Sequence, residues 1–250
     1  MDELKASFSQ LIKDIDPVLL GVLTAVVVIF LTIVLLKFAK GGRKGSHVVF
    51  VGLCDAGKTL IFSKLAHGRH ITTHTSMKEN LGKYTISEKN KTVQIVDIPG
   101  HERSRQKFVD QYKSLARAIV FVVDSTTFQK EYKDVAEYLY NLLTDAVISR
   151  NCPPILMLCN KQDYTLAKGA KVIQTQLQKE INTLRKTRAA ALDATDGDVG
   201  NNNTFLGKRN KDFEFTDIKP FCVEFAECSA GTSADDSKLD ELEQWIVKIS

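Results

Sequence analysis

The hydrophobic pattern of the chain opens on a long apolar run at positions 18–36, where 19 residues follow one another without a charged side chain. A helix of that length spans roughly 28 Å, close to the ~30 Å hydrocarbon core of a bilayer. A core helix of a soluble domain would show a polar face, and a signal peptide would begin with basic residues. This run has no polar face and follows an acidic segment, 1–17. The pattern therefore predicts one transmembrane helix.

The charges that flank the run predict its orientation. Four cations follow it closely: Lys37, Lys40, Arg43 and Lys44. Because basic residues stay on the cytosolic side of a membrane helix, residues 1–17 are predicted to be lumenal and everything after the helix cytosolic. Residues 37–46 are basic and glycine-rich and predict a short linker, and residues 47–250 are numerous enough for one cytosolic domain.

Beyond the linker, apolar runs typical of buried strands alternate with amphipathic helical patterns. The strands are predicted at 47–51, 92–96, 118–123, 155–159 and 223–227, and the helices at 132–149, 167–188 and 235–249. This alternation predicts an α/β fold with a doubly wound, mainly parallel six-stranded sheet. A weaker strand at 81–87 precedes the strand at 92–96 and is predicted to be its hairpin partner.

Composition narrows the class of protein further. The 5 cysteines include no C-x-x-C pair, which favours reduced thiols in the cytosol over disulfides or a zinc site. The net charge of +4 is mild, so direct binding to nucleic acid is not expected. Residues 189–212 are rich in Gly, Asn and Asp and predict a disordered surface loop.

The first chemical motif lies at 52–59, between a predicted strand and helix, where GLCDAGKT fits the pattern G-x-x-x-x-G-K-[ST]. The glycines of such a loop let backbone N–H groups and the helix N-terminus surround a phosphate. Lys58 is predicted to meet the β- and γ-phosphates, and the Thr59 hydroxyl to bind Mg²⁺. The predicted phosphate-binding residues are Gly52, Leu53, Cys54, Asp55, Ala56, Gly57, Lys58 and Thr59.

A second motif, NKQD at 160–163, follows the strand predicted at 155–159. The Asp163 carboxylate can accept from the N1–H and N2–H₂ groups of guanine. Adenine offers no such pair of donors, so binding adenine would leave the carboxylate unpaired. Asn160 is predicted to brace the loop, and the Lys161 stem to cover the face of the purine.

Two further motifs complete the predicted site. The sequence DIPGH ends a predicted strand, and within it Asp97 is predicted to hold Mg²⁺ through water and the Gly100 N–H to contact a γ-phosphate. After the last strand, Ser229 and Ala230 predict a backbone N–H that reaches the guanine O6. Together the motifs predict GTP or GDP with Mg²⁺ as the ligands.

The order and spacing of the P-loop, D-x-x-G, N-K-x-D and S-A motifs resemble those of Ras-like small GTPases, and GLCDAGKT and NKQD resemble the Arf/Sar branch most. With the N-terminal span, the run SLARAIVFVVDS and the segment DIPGHE, the chain is similar to the beta subunits of the signal recognition particle receptor. The resemblance implies a single-pass protein of the endoplasmic reticulum membrane that pairs with the receptor alpha subunit and serves the targeting of ribosome–nascent-chain complexes. The ribosome and the translocon are then further candidate partners besides the lipid bilayer.

Two features depart from the Ras-like pattern. His101 stands where these proteins usually carry the glutamine that orients the attacking water. Histidine can take that role, as it is thought to in the Sar proteins, but hydrolysis is expected to be slow or to depend on a partner. The segment at 71–77, which corresponds to switch I of these proteins, does not match a clear sequence motif. The hydroxyl that binds Mg²⁺ there is Thr75 by resemblance, with Thr73 and Ser76 as alternatives.

These observations predict a membrane-anchored guanine-nucleotide switch whose GTP state holds a partner subunit. Two alternatives stay open. One is an enzyme that turns over GTP repeatedly, and the other is an Arf/Sar-like protein that recruits a coat or tether to a membrane. A permanent span disfavours the recruiter, because an amphipathic or lipidated N-terminus suits a protein that cycles on and off membranes.

Overall fold

The computed structural model describes residues 21–22, 25–32, 45–73, 75–86, 90–193, 205–231 and 237–250. The chain divides into two compact units, Met1–Arg43 and Lys44–Ser250. In the first unit the described residues are helical, and their side chains are exposed. No helix within the described ranges is long and apolar enough to cross a membrane. The span predicted at 18–36 falls in large part outside the described residues and stays a prediction.

The second unit is built on a six-stranded sheet with the strand order β2-β3-β1-β4-β5-β6. The strands are β1 His47–Val51, β2 Asn80–Ile86, β3 Lys91–Asp97, β4 Ala116–Asp124, β5 Ile155–Asn160 and β6 Val223–Glu227. Strand β2 pairs antiparallel with β3, and every other neighbouring pair is parallel. The predicted mainly parallel six-stranded sheet is confirmed, and so is its hairpin.

Helices cover both faces of the sheet, which parallel strands need because both of their faces are apolar. They are α1 Lys58–His67, α2 Glu102–Tyr112, α3 Phe128–Thr144, α4 Ala146–Asn151, α5 Ala170–Asp193 and α6 Asp240–Ile249, with a 3₁₀ turn at Phe215–Asp217. Helices α2, α3 and α5 pack on one face around Phe121 and Leu139. Helices α1 and α6 pack on the other around Phe50 and Ile246. The fold is thus doubly wound, as predicted.

The carboxyl ends of the parallel strands meet at one edge of the sheet. At this edge β1 leads into the phosphate loop, β3 ends at Asp97, β4 at Asp124 and β5 at Asn160. The register places Phe50 opposite Asp97, and Asp124 opposite Asn160. Since ligands of doubly wound sheets bind outside the carboxyl ends of the strands, the motif residues converge where a ligand is expected.

All three predicted helices differ from the observed ones in their bounds. The single helix predicted at 132–149 is divided into α3 and α4 at Asp145. The Asp145 carboxylate accepts from the N–H groups of Val147 and Ile148 and so caps a new helix, which periodicity alone does not reveal. The helix predicted at 167–188 begins later, at Ala170, and the helix predicted at 235–249 begins at Asp240.

The structure describes both ends of the loop predicted at 189–212. Helix α5 continues to Asp193, in keeping with the high helix propensity of the alanines in its last turn. Leu206 is 4% exposed, and its carbonyl accepts from the buried Arg185 side chain. These parts are therefore not the disordered loop that was predicted, and residues 194–204 lie outside the described ranges.

Candidate nucleotide-binding site

The phosphate loop at 52–59 joins β1 to α1 and lines a cavity of ≈ 210 Å³. Gly57 caps α1 in the left-handed conformation, with φ 91°. A side chain at Gly57 would also lie 2.3 Å from Nδ2 of Asn160, so both the backbone and the available space require glycine. The first turn of α1 carries no acidic residue. The N-terminus of this helix is therefore free to attract an anion.

Lys58 is the cation of this loop and is 5% exposed. Its Nζ donates to the carbonyl oxygen of Leu53 at 2.6 Å. Burial lowers the pKa of Lys58 from its usual range, although nearby negative charges, above all that of Asp97, act in the opposite direction. A buried ammonium group is costly unless an anion joins it. The site thus holds a cation that a bound phosphate would neutralise.

Asp97, at the end of β3, is fully buried. Its Oδ2 accepts from Thr59 Oγ1 at 2.8 Å and from Asn80 Nδ2 at 2.9 Å. Its Oδ1 has no hydrogen-bond partner among the described residues. Burial raises the pKa of the Asp97 carboxyl, and the two donors and Lys58 oppose that rise only in part. A carboxylate oxygen left over beside a threonine hydroxyl fits the all-oxygen donor set that Mg²⁺ prefers.

Switch I brings further hydroxyl groups to the same cavity. Thr73, Thr75 and Ser76 all line it, and Ser76 Oγ lies 3.0 Å from Thr59 Oγ1. The structure therefore gathers all three candidate hydroxyls around the cavity. Of the three, Ser76 rather than Thr75 contacts Thr59.

Gly100 and His101 follow Asp97 closely but are placed differently. Gly100 lines the cavity and packs so tightly on the phosphate loop that an added Cβ would come within 2.6 Å of the Cys54 backbone nitrogen. His101 is exposed and caps α2, where its Nδ1 accepts from the Arg103 N–H at 3.4 Å. The described lining of the cavity includes Gly100 but not His101. Water positioning by His101 would require its side chain to leave this cap.

Asn160 is 1% exposed and lies at the far end of the site. Its hydrogen bonds connect the end of β5 to the phosphate loop and to the loop after β6. Its Nδ2 donates to the carbonyl of Ala56 in the phosphate loop at 2.8 Å. Its Oδ1 accepts from the Ala230 N–H at 3.0 Å and from the Cys228 thiol at 3.5 Å. Burial raises the pKa of the Cys228 thiol, so the thiol stays protonated and remains a donor. The Ala230 N–H, predicted to reach a guanine O6, is thus engaged with Asn160.

Asp163 and Lys161 are the side chains predicted to meet the base. Ser229 Oγ donates to Asp163 Oδ1 at 2.6 Å, which orients this exposed carboxylate and leaves Oδ2 for a ligand. Asp163 and Ser229 line a second cavity of ≈ 380 Å³, whereas Lys161 lines the phosphate cavity. Lys161 Nζ pairs with Asp124 Oδ2 at 2.6 Å.

Comparison with known proteins identifies the family. A family model described as signal recognition particle receptor beta subunit matches residues 43–221. The chain belongs to this family. The signal recognition particle receptor subunit beta of Rattus norvegicus is 47% identical over 250 residues, covering 98% of this chain and 92% of that protein.

Solved structures agree with membership of the receptor beta subunit family. A chain of "The Structure of the Mammalian SRP Receptor" matches with a TM-score of 0.71 and 45% identity, covering 82% of this chain and 100% of that one. The "SRb-GTP/SRX complex from Chaetomium thermophilum" matches with a TM-score of 0.62 at 19% identity, covering 82% and 99%. This beta subunit family member therefore has the fold of a small P-loop GTPase.

Ten residues predicted for the site of this family member, counting all three switch I candidates, line the phosphate cavity. Its lining includes Cys54, Asp55, Gly57, Lys58, Thr59, Thr73, Thr75, Ser76, Gly100 and Lys161. The remaining loop residues act through the backbone: the Leu53 carbonyl holds Lys58, the Ala56 carbonyl holds Asn160, and Gly52 supplies a positive φ of 141°.

Three contacts of this beta subunit site were not predicted from the sequence motifs. They are the hydrogen bond from Asn80 to Asp97, the Asp124–Lys161 ion pair and the hydrogen bond from Cys228 to Asn160. Asn80 carries no local signal, because it is the first residue of an edge strand. Asp124 could have been found from its position, since it ends the strand beside β5 and the carboxyl ends of parallel strands meet.

Proposed function

We propose that this beta subunit family member binds GTP and GDP together with Mg²⁺ and serves as the membrane-anchored nucleotide-binding subunit of the signal recognition particle receptor. One observation carries the proposal: Lys58, a buried cation, lies at the same edge of the sheet as Asp97, whose Oδ1 has no hydrogen-bond partner in the part of the chain that the structure describes. A nucleotide phosphate would neutralise Lys58, and hydrated Mg²⁺ would engage Asp97. A single ligand, a magnesium nucleotide, meets both requirements.

Thr59 and a hydroxyl of switch I would hold the Mg²⁺, and Asp97 would hold it through water. Bound there, the ion would supply positive charge that neutralises part of the charge on the phosphates. We propose Thr75 as the switch I ligand, with Thr73 and Ser76 as the alternatives. Because all three line the cavity, a bound γ-phosphate would order this segment in the GTP state.

Guanine would be selected at the other end of the site. The Asp163 carboxylate, oriented by Ser229, would accept from N1–H and N2–H₂ of the base, and the Lys161 stem would cover its face. The N–H of Ala230 stays the candidate donor to O6 and would be shared with Asn160. Adenine would leave the Asp163 carboxylate without donors, which is the kind of mismatch that gives strong rejection.

Hydrolysis would be slow without a partner. The Gly100 N–H would report the γ-phosphate, but the His101 side chain, which would orient the water, caps α2 at an exposed position. A partner that moved the start of α2 would therefore speed hydrolysis. The main role of GTP would be to switch the shape of the surface rather than to be turned over.

The partner we propose is the receptor alpha subunit, which would bind the GTP form better than the GDP form through switch I. Two facts support a partner: the family is named for one subunit of a receptor, and a relative, SRb-GTP from Chaetomium thermophilum, was solved with SRX. Coupling of roughly 1–3 kcal/mol would be typical of such a switch, and the bound partner would tighten GTP by the same factor.

The placement we propose is the endoplasmic reticulum membrane, crossed once by residues 18–36. Residues 1–17 would be lumenal, 37–46 would be a basic linker and 47–250 the cytosolic GTPase domain. The cations that follow position 36 support this orientation. The ribosome and the translocon would be met from the cytosolic side, through the assembled receptor.

The choice of base gives the sharpest test of this function. Fluorescent GDP and XDP would be titrated against the full chain in detergent, with Mg²⁺ and with EDTA. We expect Mg²⁺-dependent binding of GDP, and a loss of about tenfold or more in Asp163→Asn with a gain for XDP, because an amide can donate to the xanthine O2. Asp240→Asn, a carboxylate of the same second cavity, is the matched control. Unchanged GDP affinity in Asp163→Asn would refute the assignment of Asp163 to the guanine base. Failure of the wild type to bind GDP would refute the proposed function.

A further inference from the structure

The ion pair between Lys161 and Asp124 joins the base-binding loop to a neighbouring strand. Strands β4 and β5 are parallel neighbours, with Asp124 opposite Asn160, and Lys161 follows directly. Lys161 Nζ donates to Asp124 Oδ2 at 2.6 Å. The Asp124 side chain is 5% exposed and the Lys161 side chain 29%. Because a pair removed from water is screened less than a surface pair, it restrains Lys161 more strongly than an exposed pair would.

The two oxygens of Asp124 have separate partners. Oδ1 accepts from the Thr126 N–H at 2.8 Å and from Thr126 Oγ1 at 2.6 Å, with the Thr127 N–H at 3.4 Å. These bonds fix the carboxylate on the turn after β4 and direct Oδ2 at Lys161. Burial alone would raise the pKa of Asp124, but the hydrogen bonds from Lys161 and Thr126 outweigh it and lower the pKa. The Asp124 carboxyl is therefore ionised at neutral pH.

Lys161 needs such a restraint more than an ordinary surface lysine does. Its φ of 68° is left-handed, a conformation that a residue with a side chain rarely adopts. The next residue is tied to the same turn, since Gln162 Nε2 donates to Ser125 Oγ at 2.9 Å. The turn after β4 thus holds two successive residues of the base-binding loop, one through an ion pair and one through an amide.

We propose that Asp124 is a positioning residue for the purine: it holds the Lys161 stem along the face on which the base stacks, and so raises the affinity for the nucleotide. The inference rests on the proposed function, because it concerns the same site. Asp124 acts through Lys161 and touches no ligand itself. Its removal should weaken the binding of a ligand that has a purine and leave a purine-free phosphate ligand unaffected.

The chain offers a closely matched control at Asp145. Its Oδ1 accepts from two backbone N–H groups, of Val147 and Ile148, and its Oδ2 pairs with Lys113 at 2.8 Å. The Asp145 side chain is 15% exposed. Asp145 thus repeats the arrangement of Asp124 outside the nucleotide site, so Asp145→Asn reproduces the structural cost without the positioning effect.

The experiment measures fluorescent GDP binding to the full chain in detergent for wild type, Asp124→Asn, Lys161→Ala, the double variant and Asp145→Asn. We expect Asp124→Asn to lose about tenfold in GDP affinity, which corresponds to roughly 1.4 kcal/mol. Lys161→Ala should lose at least as much, and the double variant no more than Lys161→Ala alone. Asp145→Asn should stay within twofold of wild type. Pyrophosphate, measured by displacement of the fluorescent GDP, should bind Asp124→Asn as it binds wild type.

Three results would overturn the inference: an Asp124→Asn affinity within twofold of wild type, losses that multiply in the double variant, or an equal loss for pyrophosphate. If Asp124→Asn does not fold, Asp124→Glu keeps the charge but displaces it. It should show a smaller loss that disappears in the Lys161→Ala background, and a loss that persists there would also contradict the inference. Wild type that binds pyrophosphate but not GDP would instead reject the proposed function, and this inference with it.

Discussion

Lys58 and Arg185 are both buried cations, yet the fold surrounds them in opposite ways. Lys58 is 5% exposed, and within the described residues its Nζ has one hydrogen-bond acceptor, the Leu53 carbonyl. Arg185, on α5, is 1% exposed. Its guanidinium donates to the side chain of Asn182 and to the carbonyls of Leu206, Lys208 and Lys211.

Aromatic rings complete the surroundings of Arg185. Its guanidinium carbon lies 5.0 Å from the ring centre of Phe205 and 5.9 Å from that of Phe213. Neutral carbonyls and ring faces thus solvate this cation entirely within the chain. Within the described ranges Lys58 has no comparable set of acceptors, and it lies beside a cavity. A buried cation whose donors are mostly engaged within the chain, as in Arg185, therefore serves the fold, whereas one left short of acceptors at a cavity indicates an anionic ligand.

Removal of Arg185 should have the largest effect on stability. Arg185→Met is expected to cost about 3–5 kcal/mol of unfolding free energy, because the carbonyls of the segment around Leu206 would lose their buried donor. Urea unfolding followed through Trp245, the chain's 1 tryptophan, measures this cost. The affinity of the folded protein for GDP should change less than twofold, since the cluster lies outside the site.

Arg188 gives the control on the same helix. Its side chain is 38% exposed and pairs with Glu137 at 2.9 Å. Arg188→Met should cost about 1 kcal/mol or less, because exposed pairs contribute little. If Arg185→Met lowered the unfolding free energy no more than Arg188→Met does, Arg185 would not stabilise the fold as its contacts indicate.

Removal of Lys58 should weaken nucleotide binding strongly and change stability little, which is the reverse of what we expect for Arg185. Lys58→Met is expected to weaken GDP binding by about 100-fold or more, roughly 2.7 kcal/mol, because the phosphate loses its buried cation. The unfolding free energy without nucleotide should stay within about 1 kcal/mol of wild type or rise, since the substitution removes the cost of burying an ammonium group. Lys179→Met, at an exposed position on α5, is the control for a lost positive charge. A strong destabilisation of the Lys58 variant without nucleotide would erase the contrast with Arg185.

The two cations also show why the nucleotide site was easier to predict from the sequence than the surroundings of Arg185. A phosphate needs consecutive backbone N–H groups beside one lysine, so the signal for Lys58 is contiguous, at 52–59. Three of the four acceptors of Arg185 are backbone carbonyls, which leave no trace in residue identity, and these lie 21 to 26 positions further along the chain. The positions of the strands followed from apolar runs, and the mainly parallel sheet from their alternation with helical patterns, in the same local way.

The predictions of helix boundaries were wrong where polar contacts, rather than the period of apolar positions, decide where a helix begins or ends. Apolar positions continue from Leu143 to Ile148 and predict one helix, and both side chains are indeed buried. The break between them is made by a single carboxylate, Asp145, through its bonds to the N–H groups that follow. A hydrophobic pattern records which face is buried but does not record a cap, because the cap is one polar residue that the pattern tolerates.

The smallest expected effect concerns Asp145, whose charge is satisfied within the chain. Burial raises its pKa, but Lys113 and two backbone N–H groups outweigh burial and lower the pKa from 3.8. The Asp145 carboxylate therefore stabilises the fold above pH 3.8, and that contribution is lost as the pH falls through the lower pKa of the folded state. Asp145→Asn should cost about 1 kcal/mol at pH 7 and progressively less toward pH 3, by urea unfolding at each pH. A cost that stays constant with pH would mean that the cap geometry, and not the charge, provides the stability.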